Sequence, residues 1–386
     1  MMQAVFVHGT NINSPLGFST EENFQRILAG EIGVKSHREN RISPVEAWAS
    51  LFSDEQMATL ESEHAATPGL TKFEKLIASS ISNALICSNI DPKSKSTIII
   101  LSTTKGNIAK LEESKNEDID AESLELFVSA KKIQHYFLNP NEPILVSNAC
   151  ISGLAALIIA QRMLSSGQYE NAIVVGADTI GPFVFSGFQS FLALSPGMCK
   201  PFSSDRDGIN LGEAAATIVV SIKENPLSKS AQIKVGHGAM SNDANHISGP
   251  SRTGEELGMA INRSLSGNKL DAKDIGFVSA HGTATPYNDE MEAKAINFAG
   301  LQKVPLNSLK GYFGHTLGAA GLVESIISIE SMKAGKLIST AGFSEGGLLP
   351  EVNVCTENSK QEFDHCLKMA SGFGGCNATI IFSKTD

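Results

Sequence analysis

The stretch VSNACISGLAAL, residues 146–157, changes pattern at a single cysteine. Before it, EPILVSNA closes a short apolar run; after it, SGLAALIIAQRML has the small-residue periodicity of a helix. Cys150 therefore falls at a strand–helix junction, where two readings compete. A free cysteine packs readily as a small buried hydrophobe. A thiol at a helix N-terminus instead has its thiolate favoured by the helix dipole and by unsatisfied backbone N–H groups, and small neighbours leave room for a carbonyl.

Outward from this junction the alternation repeats. The continuous apolar runs STIIILS (96–102), AIVVGA (172–177), ATIVVSI (216–222) and ATIIFS (378–383) predict strands buried on both faces. Helical patterns cover 71–89, 152–167 and 318–335. Strands alternating with helices of this length predict α/β layers around mixed or parallel sheets. The order strand, small-residue helix, strand, glycine turn, strand occurs twice, from ILVSNAC to ATIVVSI and from VPLNSLK to ATIIFS. That echo suggests two duplicated halves, 1–226 and 227–386, with a seam near the polar KENPLSKSAQ (223–232). The acidic KLEESKNEDIDAES (110–123) reads as a solvated surface segment.

Composition removes several functions. A net charge of −10 argues against a nucleic-acid surface, which needs clustered Lys and Arg. The cysteines at 87, 150, 199, 355, 366 and 376 form no CxxC pair and no metal-ligand spacing. The N-terminal residues do not resemble a secretory leader, and no run approaches the roughly 20 apolar residues of a membrane span. The expectation is a cytoplasmic protein with reduced thiols, no metal, and neither membrane nor nucleic-acid partner.

Four segments combine glycine turns with reactive side chains: Cys150 in SNACISG, His281 in VSAHGTATPYND (278–289), Lys310 and His315 in NSLKGYFGHTLGAAG (307–321), and SGFGGCNA (371–378). GFGGCN is not GxGxxG, and KGYFGHTLG lacks the GK[ST] ending, so nucleotide readings fail on spacing. Together the segments supply a nucleophile, two imidazoles, a lysine and a glycine turn at the ends of buried strands, where α/β sites are built.

In this order and context the motifs resemble the elongating β-ketoacyl-[acyl carrier protein] synthases of the thiolase superfamily. The resemblance starts at AVFVHGTNINSPLGF and includes KPFSSDRDGINLGEAAATIVV (200–220). It implies a thiolase-like α/β fold, two halves forming a five-layered αβαβα core, and a homodimer or a heterodimer with a related chain. By resemblance, Cys150 would carry the acyl group delivered on the phosphopantetheine of an acyl carrier protein, with no cofactor of the protein's own. His281 and His315 would promote malonyl decarboxylation, and the amides of Cys150 and Phe373 would form the oxyanion hole. Thr283 and Thr285 would bind the pantetheine arm, Phe188 and Phe373 would gate the acyl pocket, and Lys310, paired with Glu324, would orient the site; Glu324 is grouped with the substrate-side residues.

The chain departs from that pattern at several places. Cys376 stands where threonine is common, Ser203 where aspartate is usual, and Leu192 where many relatives carry an arginine that docks the carrier. About 25 residues are missing around 40–70 and 103–140, regions that normally shape the acyl pocket and dimer face. Two alternatives differ in named residues. A chain-length-factor-like partner subunit would lack the cysteine, and a thiolase would need a second catalytic cysteine, for which Cys376 is the only candidate.

Overall fold

The computed structural model describes residues 3–38, 42–64, 69–113, 121–228, 231–243 and 249–385. Ten strands form the main sheet: β1 (Phe6–Asn13), β2 (Thr97–Ser102), β3 (Ile144–Val146), β4 (Asn171–Asp178), β5 (Ala214–Ser221), β6 (Ile233–Asn242), β7 (Phe277–Ser279), β8 (Leu306–Asn307), β9 (His365–Gly372) and β10 (Cys376–Lys384). Seven helices bear on the argument: α1 (Lys72–Ile86), α2 (Leu126–Tyr136), α3 (Ser152–Ser165), α4 (Pro182–Ser190), α5 (Glu255–Gly267), α6 (Pro286–Phe298) and α7 (Ala320–Ala334).

The strand order is β8-β7-β9-β10-β6-β1-β5-β4-β2-β3. It divides into two sets of the same design. β1 pairs antiparallel with β5 and β5 with β4, and then β4, β2 and β3 run parallel. β6 pairs antiparallel with β10 and β10 with β9, and then β9, β7 and β8 run parallel. A single register pair, Phe6 with Lys234, joins the sets across β1 and β6. The connection between them runs through 222–232, of which 229 and 230 lie outside the described residues.

Every strand in the middle of a set is buried on both faces, and the period of two sorts its residues between cores. Ile98 and Ile100 of β2 belong to a central apolar core, whereas Ile99 and Leu101 belong to an outer one under α1 and α2. In the second set, Ile380 and Phe382 face the central core and Ile381 an outer core under α5 and α6. Helices α3 and α7 fill the central core between the two sets of strands. The layers are therefore α1/α2, strands, α3/α7, strands, α5/α6, the five-layered thiolase-like arrangement expected from the sequence.

The small residues of SGLAAL and GAAG have a packing reason. A Cβ on Gly153 would lie 2.8 Å from the Gly318 carbonyl oxygen, and one on Gly321 would lie 2.6 Å from the Leu154 amide nitrogen. Helices α3 and α7 meet where each opens, and this close approach puts the loops that precede them side by side.

The acidic stretch is only partly solvent-facing. Residues 114–120 lie outside the described residues, but Lys110–Glu113 is a short helix whose Glu112 accepts a hydrogen bond from the Phe183 amide in the first turn of α4. A carboxylate at a helix N-terminus completes unsatisfied N–H groups, which composition alone could not indicate.

Two glycine-to-alanine changes test the helix pairing with opposite signs. Gly187 in α4 has open space where a Cβ would go, so Gly187→Ala should stabilise by about 0.5–1 kcal/mol through helix propensity. Gly321→Ala gains the same propensity but must push α7 off α3, so it should cost about 1–3 kcal/mol net. Thermal unfolding of both variants measures this; equal shifts in Tm would contradict the close approach.

Candidate active site

Each chemistry-bearing residue stands just beyond a strand end, next to a strained turn. Cys150 follows β3, preceded by Ala149 at φ 43°. His281 follows β7, with Gly282 at φ 49° and Ala284 at φ 60°. His315 lies between β8 and α7, followed by Leu317 at φ 51°. A left-handed conformation at a non-glycine residue costs about 1–3 kcal/mol and persists only where its surroundings enforce it. At Cys150 the enforcement is Ser152, whose hydroxyl donates to the Ala149 carbonyl at 2.6 Å and accepts from the Asn148 amide at 2.8 Å. At His315 it is Asp178, buried at the end of β4. Asp178 accepts from the Gly318 amide at 2.7 Å, from the Thr103 hydroxyl at 2.8 Å and from the Thr104 hydroxyl at 2.8 Å.

These turns bring the Cys150 sulfur and one ring nitrogen each of His281 and His315 within 4.8 Å of one another. The two imidazoles meet edge to face, centroids 5.2 Å apart. Their tautomers follow from what approaches Nδ1. The Leu317 amide donates to His315 Nδ1 at 3.3 Å, so that nitrogen holds the lone pair and Nε2 the proton. His315 Nε2 is buried and has no partner among the described residues. The Lys310 ammonium lies 3.4 Å from His281 Nδ1 and donates to the His281 carbonyl at 2.9 Å, which gives His281 the same tautomer. Both rings thus present an N–H at Nε2. The three side chains have the spacing of metal ligands, and the Lys310 ammonium stands behind the His281 ring.

Burial pushes both imidazoles well below the ordinary histidine range, with Lys310 the next cause in each case. Both are therefore neutral at physiological pH. The Cys150 thiol differs from the sequence expectation. It lies two residues before the first residue of α3 and is only 7% exposed, and burial raises its pKa. Lys310, Lys105 and a hydrogen bond from the Phe373 amide oppose that rise. Desolvation outweighs the helix terminus here because the sulfur lies deep in the site with little exposure to solvent.

The cavity in front of this group has a volume of about 550 Å³. Cys150, His281 and His315 form its floor, while Thr283, Thr285 and Phe188 line its walls. The Thr283 and Thr285 hydroxyls are 2.8 Å apart. The Phe373 ring stacks on Phe188 at 5.8 Å and meets Phe191 edge-on at 5.5 Å, closing one side. Leu192, 90% exposed, stands at the mouth.

Lys310 and Glu324 are behind the floor and do not line the cavity. Glu324, grouped with the substrate-side residues on sequence grounds, is instead buried against Lys310 and Lys368, so any influence on a substrate passes through them. Cys376 is also set back. Its sulfur lies 3.3 Å from the Phe373 carbonyl, and burial pushes its thiol up to about 12, a structural contact in the glycine turn.

The sequence did not single out Lys368, Glu292 or Asp289. Glu292 of α6 accepts the His281 amide at 2.7 Å and the Gly282 amide at 2.6 Å, and burial, with Asp289 beside it, pushes its carboxyl up to about 7. Asp289 accepts the Thr283 amide at 2.9 Å and the Phe202 amide at 2.8 Å. The only advance signal was their position in the helical turns after HGTATP.

A thiol, two neutral imidazoles and a backbone amide thus converge on one cavity in a thiolase-like fold. Two family models match the chain: Beta-ketoacyl synthase, N-terminal domain, over residues 135–225, and Beta-ketoacyl synthase, C-terminal domain, over residues 231–344. Together they cover more than half of the chain, which belongs to the beta-ketoacyl synthase family. It is 32% identical to the 3-oxoacyl-[acyl-carrier-protein] synthase 2 of Vibrio cholerae serotype O1 (strain ATCC 39315 / El Tor Inaba N16961) over 62% of this chain and 62% of that protein. It is 25% identical to the 3-oxoacyl-[acyl-carrier-protein] synthase 2 of Rhizobium meliloti (strain 1021) over 99% of each. Among solved structures, the ishigamide ketosynthase/chain length factor superposes with a TM-score of 0.88 at 22% identity, covering 100% of both chains.

Cysteine reactivity checks the assignment of the thiol. Cys199, Cys355, Cys366 and Cys376 are pushed up to about 12 by burial, whereas Cys150 has two lysines and an amide opposing its rise. At neutral pH, iodoacetamide should label the exposed Cys87 and the cavity-facing Cys150 well before the other four. Peptide mapping that finds Cys150 as inert as Cys199 would contradict it.

Proposed function

We propose that this protein is a 3-oxoacyl-[acyl-carrier-protein] synthase: it joins a Cys150-bound acyl group to the carbanion formed when a malonyl-type carrier thioester loses CO2. The observation that carries the reading is the convergence of the Cys150 sulfur with one ring nitrogen each of His281 and His315 within 4.8 Å. In the first half-reaction the Cys150 sulfur attacks the acyl thioester carbonyl. The carrier's C–S bond breaks, and the departing thiolate takes up the cysteine's proton. Neither imidazole is a base toward this thiol, since both Nε2 atoms already hold protons; the thiolate depends on Lys310, Lys105 and the Phe373 amide.

In the second half-reaction the C–C bond to the malonyl carboxylate breaks and CO2 departs. The electron pair becomes an enolate whose oxygen accepts from His281 and His315. The enolate carbon attacks the Cys150 thioester, and the new oxyanion is held by the Cys150 and Phe373 amides. Collapse releases the β-ketoacyl carrier and expels the Cys150 thiolate, which takes a proton from solvent to restore the thiol. The extender's own carboxylate supplies the electron pair, so the cycle calls for no resident cofactor. In this reading Thr283 and Thr285, on the cavity wall, bind the pantetheine arm, and Phe188 with Phe373 gates the acyl chain.

The partners follow from the same reading. The phosphopantetheine arm belongs to an acyl carrier protein, which would dock around the mouth; with Leu192 there, that docking relies on charges other than the one expected at this position. β3 is the open edge of its set, available to pair with a second copy or a related chain. A non-catalytic partner role is disfavoured by the complete Cys150, His281 and His315 set. Light scattering should give about twice the 40.9 kDa chain mass, alone or with a related chain; a strict monomer under both conditions would contradict pairing at β3.

Intact-mass analysis with acyl- and malonyl-carriers separates the half-reactions. His315→Ala should still take up an acyl group on Cys150 but release CO2 about 10²–10³ times more slowly, the usual cost of one preorganised donor. Cys150→Ala should lose acylation and keep some decarboxylation. Near wild-type condensation by His315→Ala would reduce His315 to a structural role and overturn the mechanism.

A further inference from the structure

We propose that Lys368 is a positioning residue for the decarboxylation half-reaction: its ammonium ties the end of β7, from which His281 emerges, to the Glu324 carboxylate that holds Lys310. The inference rests on the function proposed above and adds a residue to it.

Lys368 is fully buried in the middle of β9, an unusual place for a lysine. In the parallel pairing of β7 and β9 it stands directly opposite Ser279. Its ammonium donates to the carbonyls of Ser279 at 3.2 Å, Ala280 at 3.0 Å and Met369 at 2.6 Å, and forms an ion pair with Glu324 Oε2 at 2.7 Å. Lys310 holds Oε1 of the same carboxylate. Glu324 thus bridges two buried lysines, one donating to the His281 carbonyl and the other to the two carbonyls before it. With Glu292 accepting the His281 amide, the backbone on both sides of His281 is fixed by buried ionisable groups.

The arrangement has an electrostatic consequence. Around His281 stand Lys310 from the turn after β8, Lys368 from β9, Glu324 from α7, Glu292 from α6, His315 from the loop before α7 and Cys150 from the loop before α3. Two ammonium groups share the Glu324 carboxylate, while the Glu292 carboxyl, pushed up to about 7 by burial, stands on the other side of His281. Burial depresses His281, with Lys310, His315 and then Lys368 adding to it; burial, Lys310, Lys105 and Lys368 depress His315. The bonds of Lys368 end on the carbonyls of Ser279, Ala280 and Met369 and on Glu324, none of which lies in the loop that carries Cys150. Loss of Lys368 should therefore disturb decarboxylation and spare acylation.

The sign is fixed by the tautomers. Protonating either imidazole places an N–H at Nδ1, against a lysine or an amide that is already a donor, so activity is lost as pH falls through the imidazole pKa. Removing a nearby positive charge raises that pKa, and the acid limb of decarboxylation moves to higher pH. Lys368→Met should still acquire an acyl group on Cys150. It should decarboxylate malonyl-carrier about 10- to 100-fold more slowly because the ring is misplaced, with its acid limb moved to higher pH. A folded Lys368→Met with the wild-type limb and the wild-type ratio of decarboxylation to acylation overturns the proposal. So does an equal loss of both half-reactions with no shift in the limb, the mark of a merely structural lysine.

If that variant does not fold, Lys368→Met combined with Glu324→Gln removes the buried pair as a neutral unit and keeps the cluster's net charge. Its acid limb should remain at the wild-type position while decarboxylation falls; a wild-type decarboxylation rate in the double variant overturns the proposal. Wild-type protein that never decarboxylates malonyl-carrier would instead remove the function on which the inference rests.

Discussion

The close contact of α3 and α7 is the constraint on which the rest of the molecule depends. Each helix opens beside the other because glycines at 153 and 321 leave no side chain between the backbones. The two halves use the same strand order, so α3 and α7 are equivalent helices, each following the edge strand of its set. The loop before α3 carries Cys150 and the loop before α7 carries His315. Packing equivalent helices against each other therefore places a thiol from one half next to an imidazole from the other.

A second layer of organisation is electrostatic, and it is costly. Lys310, Lys368, Glu324, Glu292 and Asp289 are all buried within a few side chains of one another. Removing such groups from water costs several kcal/mol each unless pairing and hydrogen bonds offset it. Here almost every bond they form ends on the backbone around His281 or on one another. An apolar replacement would pack without that penalty, but it would leave the amides and carbonyls around His281 without the partners that fix its position. The left-handed residues Ala149, Ala284 and Leu317 represent the same exchange, local strain accepted in return for the direction of a side chain.

The cavity makes different demands from its floor. The floor is fixed by strand ends, buried ions and helix starts, and leaves little freedom. The wall and mouth are made by aromatic side chains and loops: Phe188, Phe191, Phe373 and the exposed Leu192. Substitutions there alter what enters without disturbing the chemistry beneath, which is how one fold serves several substrates.

The sequence by itself determined the layers and singled out residues that the fold brings together. Runs such as STIIILS and AIVVGA are apolar at every position because both faces of the strand are buried, and β2 and β4 lie where those runs predict. Strands β1 and β6, FVHGTNIN and IKVGHGAMSN, were not legible in this way, because glycine, histidine and asparagine interrupt the apolar pattern. Their assignment as strands comes from the long partners they pair with. Cys150, His281, His315 and Lys310 stood out through glycine-bounded motifs. Lys368 did not: within CLKMA it reads as the polar position of an alternating strand, and its burial depends on Glu324, 44 residues away in sequence and adjacent only after α7 has packed. The thiol's protonation was likewise decided by tertiary structure. A helix start is a local feature visible in the sequence, whereas desolvation depends on everything that closes around the sulfur.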